Sequence, residues 1–121
     1  MRPMIYVAGP ISKGDMSTNI RTALETARKL WDMGYVPFVP QLSFFWHTIF
    51  PQDAEERVHV KRDGSLNFWM AYDFEIIRRC EVLFRLPGQS TGADMEELKC
   101  LEWDIPIVRS LDEAKEWIAK Q

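Results

Sequence analysis

The chain alternates short apolar segments with longer segments of helical period, and this alternation restricts the possible folds more than any other feature. Strands that alternate with helices form a parallel sheet covered by helices on both faces. The predicted strands are Met4–Ala8, Tyr35–Val39, Val82–Leu86 and Ile105–Val108. The predicted helices, in which apolar residues recur every three or four positions, are Asp15–Met33, Leu66–Cys80, Ala93–Trp103 and Leu111–Ala119.

The order of these segments predicts a small α/β fold of the flavodoxin-like or Rossmann-like kind. It is a three-layer sandwich around a parallel sheet of roughly four or five strands, with the order 2-1-3-4. We expect one domain (1–121), in which the aromatic and then charged segment 41–64 is a mobile loop. Ligands of such sheets bind beyond the carboxyl ends of strands 1 and 3, at the switch point of the strand order. Here those strands lead into Gly9–Pro10 and Pro87–Gly88.

Composition narrows the class of partner. With 46% hydrophobic and 12% aromatic residues, the chain is predicted to be globular. The net charge of −3 gives no basic footprint for a nucleic-acid polymer, although backbone dipoles can still hold a small anion. Apolar runs are too short for a membrane span or a signal peptide, so we expect a cytoplasmic protein without membrane contact. Because Cys80 and Cys100 lack metal-ligand spacing, neither a metal nor a cofactor is predicted.

The segment Pro87–Glu97 combines a strand end, a Gly/Ser/Thr turn and a helix that opens with carboxylates. Such a junction brings backbone N–H groups and an acid to one point, so Ser90 and Gly92 are predicted to bind substrate there. Glu96 lies on the apolar side of the helix and is predicted to face the switch point, whereas Glu97 is predicted to face solvent. The alternative is that both acids only complement the helix dipole.

Asp73 lies on the apolar face of the helix that precedes strand 3, one turn from Trp69 and one turn from Ile77. A carboxylate in an apolar stripe is costly unless it is paired or has a function. We therefore predict that Asp73 belongs to the site. The alternative is a position at the edge of the stripe, or a hydrogen bond to a neighbouring loop.

The first strand leads into a second candidate segment. Tyr6 lies on this strand and either orients a carboxylate or is an ordinary core residue. In the following loop a glycine allows close approach of a ligand, and a serine, a lysine and a helix N-terminus suit a phosphate. An ordinary strand–helix turn is the alternative. The predicted substrate-binding residues of this loop are Gly9, Pro10, Ile11, Ser12 and Lys13.

Aromatic residues at 44–46 are candidates for stacking on a nucleobase, in particular Phe44 and Trp46. The alternatives are a place in the core or on a homodimer face. Because exposed aromatic residues in a small domain favour self-association, we expect a homodimer or a higher homo-oligomer.

Five segments, taken in order, resemble the nucleoside 2-deoxyribosyltransferase-like superfamily, in particular its short phage and bacterial branch, which is similar to deoxynucleotide N-glycosidases. The resemblance covers nearly the whole chain outside 41–64. The segments are IYVAGPI (5–11), GYVPFVP (34–40), WMAYDFEIIRRCEVLFRLPG (69–88), STGADMEE (90–97) and DIPIV (104–108).

The resemblance implies cleavage of the N-glycosidic bond of a 2′-deoxynucleoside or of its 5′-monophosphate, by hydrolysis or by transfer of the deoxyribosyl group. It implies that Glu96 is the nucleophile, that Asp73 assists near the base and that Tyr6 is part of the site. It also implies that Gly9, Ser12 and Ser90 contact a substrate phosphate, and that dimers share their sites.

The chemistry suits these residue types, because a fixed carboxylate can attack or stabilise the positive charge that develops on the sugar ring. A second carboxyl with a raised pKa can protonate the leaving base. Two rival functions remain at this stage. One is a non-catalytic nucleotide-binding or sensor protein on the same fold, and the other is a glycohydrolase of NAD-like dinucleotides.

Overall fold

The computed structural model describes residues 1–49 and 66–121 of the chain. Its strands are β1 (Met4–Ala8), β2 (Val36–Phe38), β3 (Val82–Arg85) and β4 (Ile107–Val108). Its helices are α1 (Met16–Met33), α2 (Ser43–Ile49), α3 (Phe68–Ile77), α4 (Thr91–Glu102) and α5 (Leu111–Ala119), with a 3-10 turn at Pro40–Leu42. None of the helices in these described residues is long and apolar enough to cross a membrane.

The four strands form one parallel sheet in the order β2-β1-β3-β4. This confirms the predicted α/β fold and its strand order. Ala8, the last residue of β1, pairs with Arg85, the last residue of β3. The two strands therefore end at the same level, and the loops that follow them lie side by side at the switch point of the sheet.

Helices cover both faces of the sheet. On one face, Ile5 and Val7 of β1 pack with Ala23 and Leu30 of α1 and with Ala114 of α5. On the opposite face, residues of β1 and β3 pack with α3 and α4 through Tyr6, Ala8, Leu83, Phe74 and Cys100. Alternate residues of β1 enter opposite layers because side chains alternate along a strand. The sequence of β1 therefore directs Tyr6 towards α3 and α4.

Polar caps fix the helix ends that border the switch point. Asp15 caps α1, since its carboxylate accepts from the backbone N–H of Ser17 at 3.2 Å and from the hydroxyl of Thr18 at 2.7 Å. Ser90 caps α4, since its hydroxyl accepts from the N–H of Ala93 at 3.1 Å. Gly34 ends α1 with φ of 112°, a left-handed conformation that favours glycine.

The predicted mobile loop 41–64 is wrong at its start. Ser43–Ile49 is a helix, and the rest of the predicted loop falls on residues 50–64, which lie outside the described residues. The missed signal is an apolar stripe at i, i+3, i+4 and i+7. It is formed by residues that are all exposed, namely Leu42, Phe45, Trp46 and Ile49. This stripe is compatible with the expected homo-oligomer, which stays a prediction.

Candidate active site

A cavity of about 520 Å³ opens at the carboxyl ends of β1 and β3, where the strand order places the switch point. The loop after β1, the start of α2, helix α3 and the first turns of α4 meet there. Most of the residues predicted from the sequence line this cavity: Tyr6, Pro10, Ile11, Ser12, Lys13, Phe44, Asp73, Ser90, Gly92 and Glu96.

Three polar side chains meet in the buried part of the cavity. Tyr6 is fully buried and Glu96 is 5% exposed, and the hydroxyl of Tyr6 donates a hydrogen bond to Oε2 of Glu96. Asp73 of α3 lies beside this pair, and its buried Oδ1 has no hydrogen-bond partner within the described part of the chain. The Tyr6 hydroxyl also interacts with the carboxyl group of Asp73, so one phenol faces both acids.

Burial raises the pKa of both carboxyl groups well above their ordinary values, and the charge of Asp73 raises the pKa of Glu96 further. The hydrogen bond from Tyr6 and the positive charge of Arg85 act in the opposite direction on Glu96, since they stabilise its charged form. Two buried carboxyl groups of this kind hold one proton between them near neutral pH.

The loop after β1 is held in shape by Asn19 of α1, a residue that the sequence analysis did not single out. Its side-chain amide donates to the carbonyl of Ile11 at 3.1 Å and to that of Lys13 at 2.7 Å. Ser12, between them, is thereby presented at the cavity. The hydrogen bonds of Asn19 cross from helix to loop and leave no periodic signal in the sequence.

Gly9 does not line the cavity, contrary to the prediction. A Cβ at this position would lie 2.8 Å from Cβ of Leu86, which is closer than real Cβ atoms approach their neighbours. Gly9 is therefore required for the packing of the end of β1 against Leu86.

The structure separates the two aromatic candidates Phe44 and Trp46, and their stacking on a base stays a prediction. Phe44 lines the main cavity, whereas Trp46 lines a neighbouring cavity of about 360 Å³ with Phe38 and Tyr72. Residues two apart on a helix point in directions about 200° apart, which separates these two rings. Trp69 was missed as a cavity residue, although it lies one turn before Asp73 on the same face of α3 and lines the cavity with it.

The prediction that Glu97 faces solvent is wrong. Its side chain is only 17% exposed and pairs with Arg109 at 2.5 Å and with the buried Arg85 at 3.4 Å. The helix pattern assigned Glu97 to the polar side because Asp94 lies one turn earlier. No local pattern predicts that the buried Arg85 of β3 contacts this polar side of α4.

Comparison with known proteins gives no match to a family model, a curated protein or a solved structure. Among the residues described by the structure, no group of three or more His, Cys, Asp and Glu side chains could hold a metal ion. The function must therefore be argued from the geometry of the cavity itself.

The raised pKa values predict a stability that falls as the pH rises. At pH 4 the unfolded chain gains little free energy by ionising Asp73, because this pH is close to the ordinary pKa of 3.8, whereas at pH 8 it gains much more. Asp73→Asn is expected to raise the free energy of unfolding by about 1–3 kcal/mol at pH 8 and to change it little at pH 4. Urea denaturation at both pH values measures this, with Glu102→Gln on the exposed side of α4 as the control. An equal effect of Asp73→Asn at both pH values would contradict the raised pKa.

Proposed function

We propose that this protein cleaves the N-glycosidic bond of a 2′-deoxynucleoside or of its 5′-monophosphate, with Glu96 as the nucleophile. The observation that carries the proposal is the buried cluster of Glu96, Tyr6 and Asp73 in the cavity at the switch point. Two carboxyl groups that share one proton supply a nucleophile and an acid in one place. The resemblance to the deoxyribosyltransferase-like superfamily supports the same assignment.

In the first step, a carboxylate oxygen of Glu96 forms a bond to C1′ of the sugar while the bond from C1′ to the base nitrogen breaks. The electron pair of that bond stays on the base, and the protonated carboxyl of Asp73 supplies the proton that the base takes up. Positive charge develops on the sugar ring in the transition state, and the negative charge of Glu96 stabilises it.

In the second step, an acceptor attacks C1′ of the sugar bound to Glu96. Asp73, now a carboxylate, takes the proton of the acceptor, and Glu96 leaves as a carboxylate. With water as the acceptor the products are a free sugar and a regenerated enzyme, and with a second base the product is a new nucleoside. The Tyr6 hydroxyl holds Oε2 of Glu96 in place and weakens the bond between Glu96 and C1′ by stabilising the departing carboxylate.

The environment of Glu96 favours catalysis over binding alone. Structural glutamates are commonly exposed or held in ion pairs, whereas Glu96 is 5% exposed, lines the cavity and forms no ion pair within the described residues. Burying such a group costs stability, which is typical of residues kept for reaction chemistry. Incubation with a panel of deoxynucleosides and deoxynucleotides, followed by chromatography of free base, tests the proposal. Release of base is expected, and no release from any member of the panel would contradict it.

A 5′-phosphate is expected to strengthen substrate binding. Ser12, Lys13 and Ser90 line the cavity, and Ser90 caps the N-terminus of α4, where helix N–H groups attract an anion. A deoxynucleoside 5′-monophosphate should bind about 10–100-fold more tightly than its nucleoside, through one or two charge-assisted hydrogen bonds. Calorimetric titration measures this preference. It should shrink in Lys13→Ala and persist in the control Lys29→Ala, and equal affinities of nucleoside and nucleotide would show that the loop is only a turn.

A further inference from the structure

Arg85 is a buried cation at the carboxyl end of β3, directly behind the helix turn that carries Glu96. Its side chain is only 9% exposed, although it does not line the cavity. A buried guanidinium is costly unless it is paired and has a role that apolar residues could not fill. The proposed chemistry so far gives Arg85 no such role.

The guanidinium of Arg85 joins three parts of the site. Nη2 donates to the carbonyl of Gly88 at 2.8 Å, in the turn between β3 and α4, and lies 3.3 Å from the carboxylate of Asp94. Nε lies 3.4 Å from the carboxylate of Glu97. Nη1 is buried and has no hydrogen-bond partner within the described part of the chain.

The two residues of α4 that pair with Arg85 lie on either side of Glu96 in the sequence. Asp94 and Glu97 lie two positions before and one position after it, so the two ion pairs hold the first turns of α4 against the end of β3. The charge of Arg85 also reaches Glu96, because little solvent screens it in this buried layer. One side chain therefore acts on both the position and the charge of the reacting carboxylate.

We propose that Arg85 is a positioning residue that acts through Glu96: it fixes the turn before α4 and supplies the positive charge against which Glu96 ionises. Glu97 moderates this charge, since it pairs with Arg85 and is itself shared with Arg109. The catalytic part of this proposal rests on the proposed function, whereas the effect of Arg85 on the ionisation of Glu96 does not.

Other titratable groups near Glu96 also affect its pKa. Tyr6 of β1 donates a hydrogen bond to it, and Asp73 of α3 raises its pKa. On its own helix Glu96 interacts with Cys100, which in turn interacts with Cys80, and burial raises the pKa of both thiols so that they stay neutral near pH 7. Arg85 is the cation that acts on Glu96 within the described residues.

A titration of Glu96 by carbon-detected NMR tests the electrostatic role without any substrate. In Arg85→Gln the pKa of Glu96 is expected to rise by about one unit, because a nearby positive charge is lost. In Glu97→Gln it is expected to fall, because Arg85 is then less neutralised, and in Arg85→Lys it should stay near the wild-type value. Should Arg85→Gln not fold, Glu97→Gln still tests the proposal, with Arg85→Lys as the control that keeps the positive charge. A pKa of Glu96 that is unchanged in Arg85→Gln or, should that variant not fold, in Glu97→Gln would overturn the proposal.

The pH profile of base release tests the catalytic part. In Arg85→Gln the rise of kcat with pH should shift upward by the same amount as the pKa of Glu96, with KM changed less than kcat. Lysine at position 85 should restore most of the wild-type profile. A loss of kcat that is equal at every pH would indicate a purely structural role and would overturn the catalytic part. If the variants change the pKa of Glu96 as expected but the wild-type protein releases no base, the proposed function alone is refuted.

Discussion

Glu96→Gln should lower the rate of base release by about a thousandfold or more, which corresponds to about 4 kcal/mol of lost transition-state stabilisation. The amide keeps the size of the side chain and can still accept the hydrogen bond of Tyr6, so the fold should be retained. It cannot form the bond to C1′, because an amide oxygen is a weak nucleophile. Initial rates of base release and the circular dichroism spectrum of each variant measure these expectations.

Glu102→Gln is the matched control for this substitution. Glu102 lies on the same helix with a side chain that is 62% exposed, and it pairs with Lys99 at the surface. Its replacement should leave the rate of base release within about twofold of wild type and the stability within about 0.5 kcal/mol. A Glu96→Gln variant that remained as active as this control would remove Glu96 from the mechanism.

Glu97→Ala is expected to lower the free energy of unfolding by about 2–4 kcal/mol. The substitution removes the carboxylate that pairs with both Arg85 and Arg109, and Arg85 is too buried for water to replace its partner. The contact of Arg85 with Asp94 remains, which limits the loss. Denaturant titration of wild type and variant measures the difference.

A double substitution at Arg85 and Glu97 distinguishes the cost of an unpaired buried charge from the cost of lost packing. Removing the cation together with its partner, as in Arg85→Met with Glu97→Leu, should cost less than the sum of the two single changes, because no buried charge is left unpaired. If the free energy of unfolding of Glu97→Ala lies within about 0.5 kcal/mol of the wild-type value, the ion pairs of Glu97 contribute little to stability.

The sheet was predictable because its signals are local and repeated. Each strand is a short apolar run, each helix has its own apolar period, and right-handed crossovers then leave one simple strand order, which the structure confirms. The helix α2 was missed because it is only 7 residues long and a run of three aromatic residues, 44–46, obscures the period of its apolar stripe.

The position of the candidate catalytic residues was predictable for a related reason. Helix periodicity alone assigned Asp73 and Glu96 to inward faces, and the strand order brought those faces to one edge of the sheet. The roles of Asn19 and Arg85 were not predictable, because each depends on hydrogen bonds between elements far apart in the chain or across a turn. The role of Gly9 was not predictable either, because it depends on the side chain of Leu86, which is far away in the sequence. Only a hydrogen at Gly9 leaves room for that side chain.

Phe44 and Trp69 mark the apolar part of the cavity that remains for a base, once Glu96 and Asp73 are assigned to the sugar and the departing nitrogen. Aromatic rings on one wall suit stacking on any nucleobase, since every base has an aromatic face. The sequence pointed to this wall through the aromatic run 44–46 but could not tell which rings of α2 face the cavity.

The stereochemistry of transfer to methanol tests the central claim, attack by Glu96 at C1′, most directly. A β-deoxynucleoside or its monophosphate is incubated with the protein in dilute methanol, and proton NMR identifies the anomer of the methyl glycoside before it can equilibrate. Two successive displacements at C1′ retain the configuration, so the β-methyl glycoside is expected. The α-methyl glycoside would contradict the account, since it requires direct displacement without a bond between the sugar and Glu96.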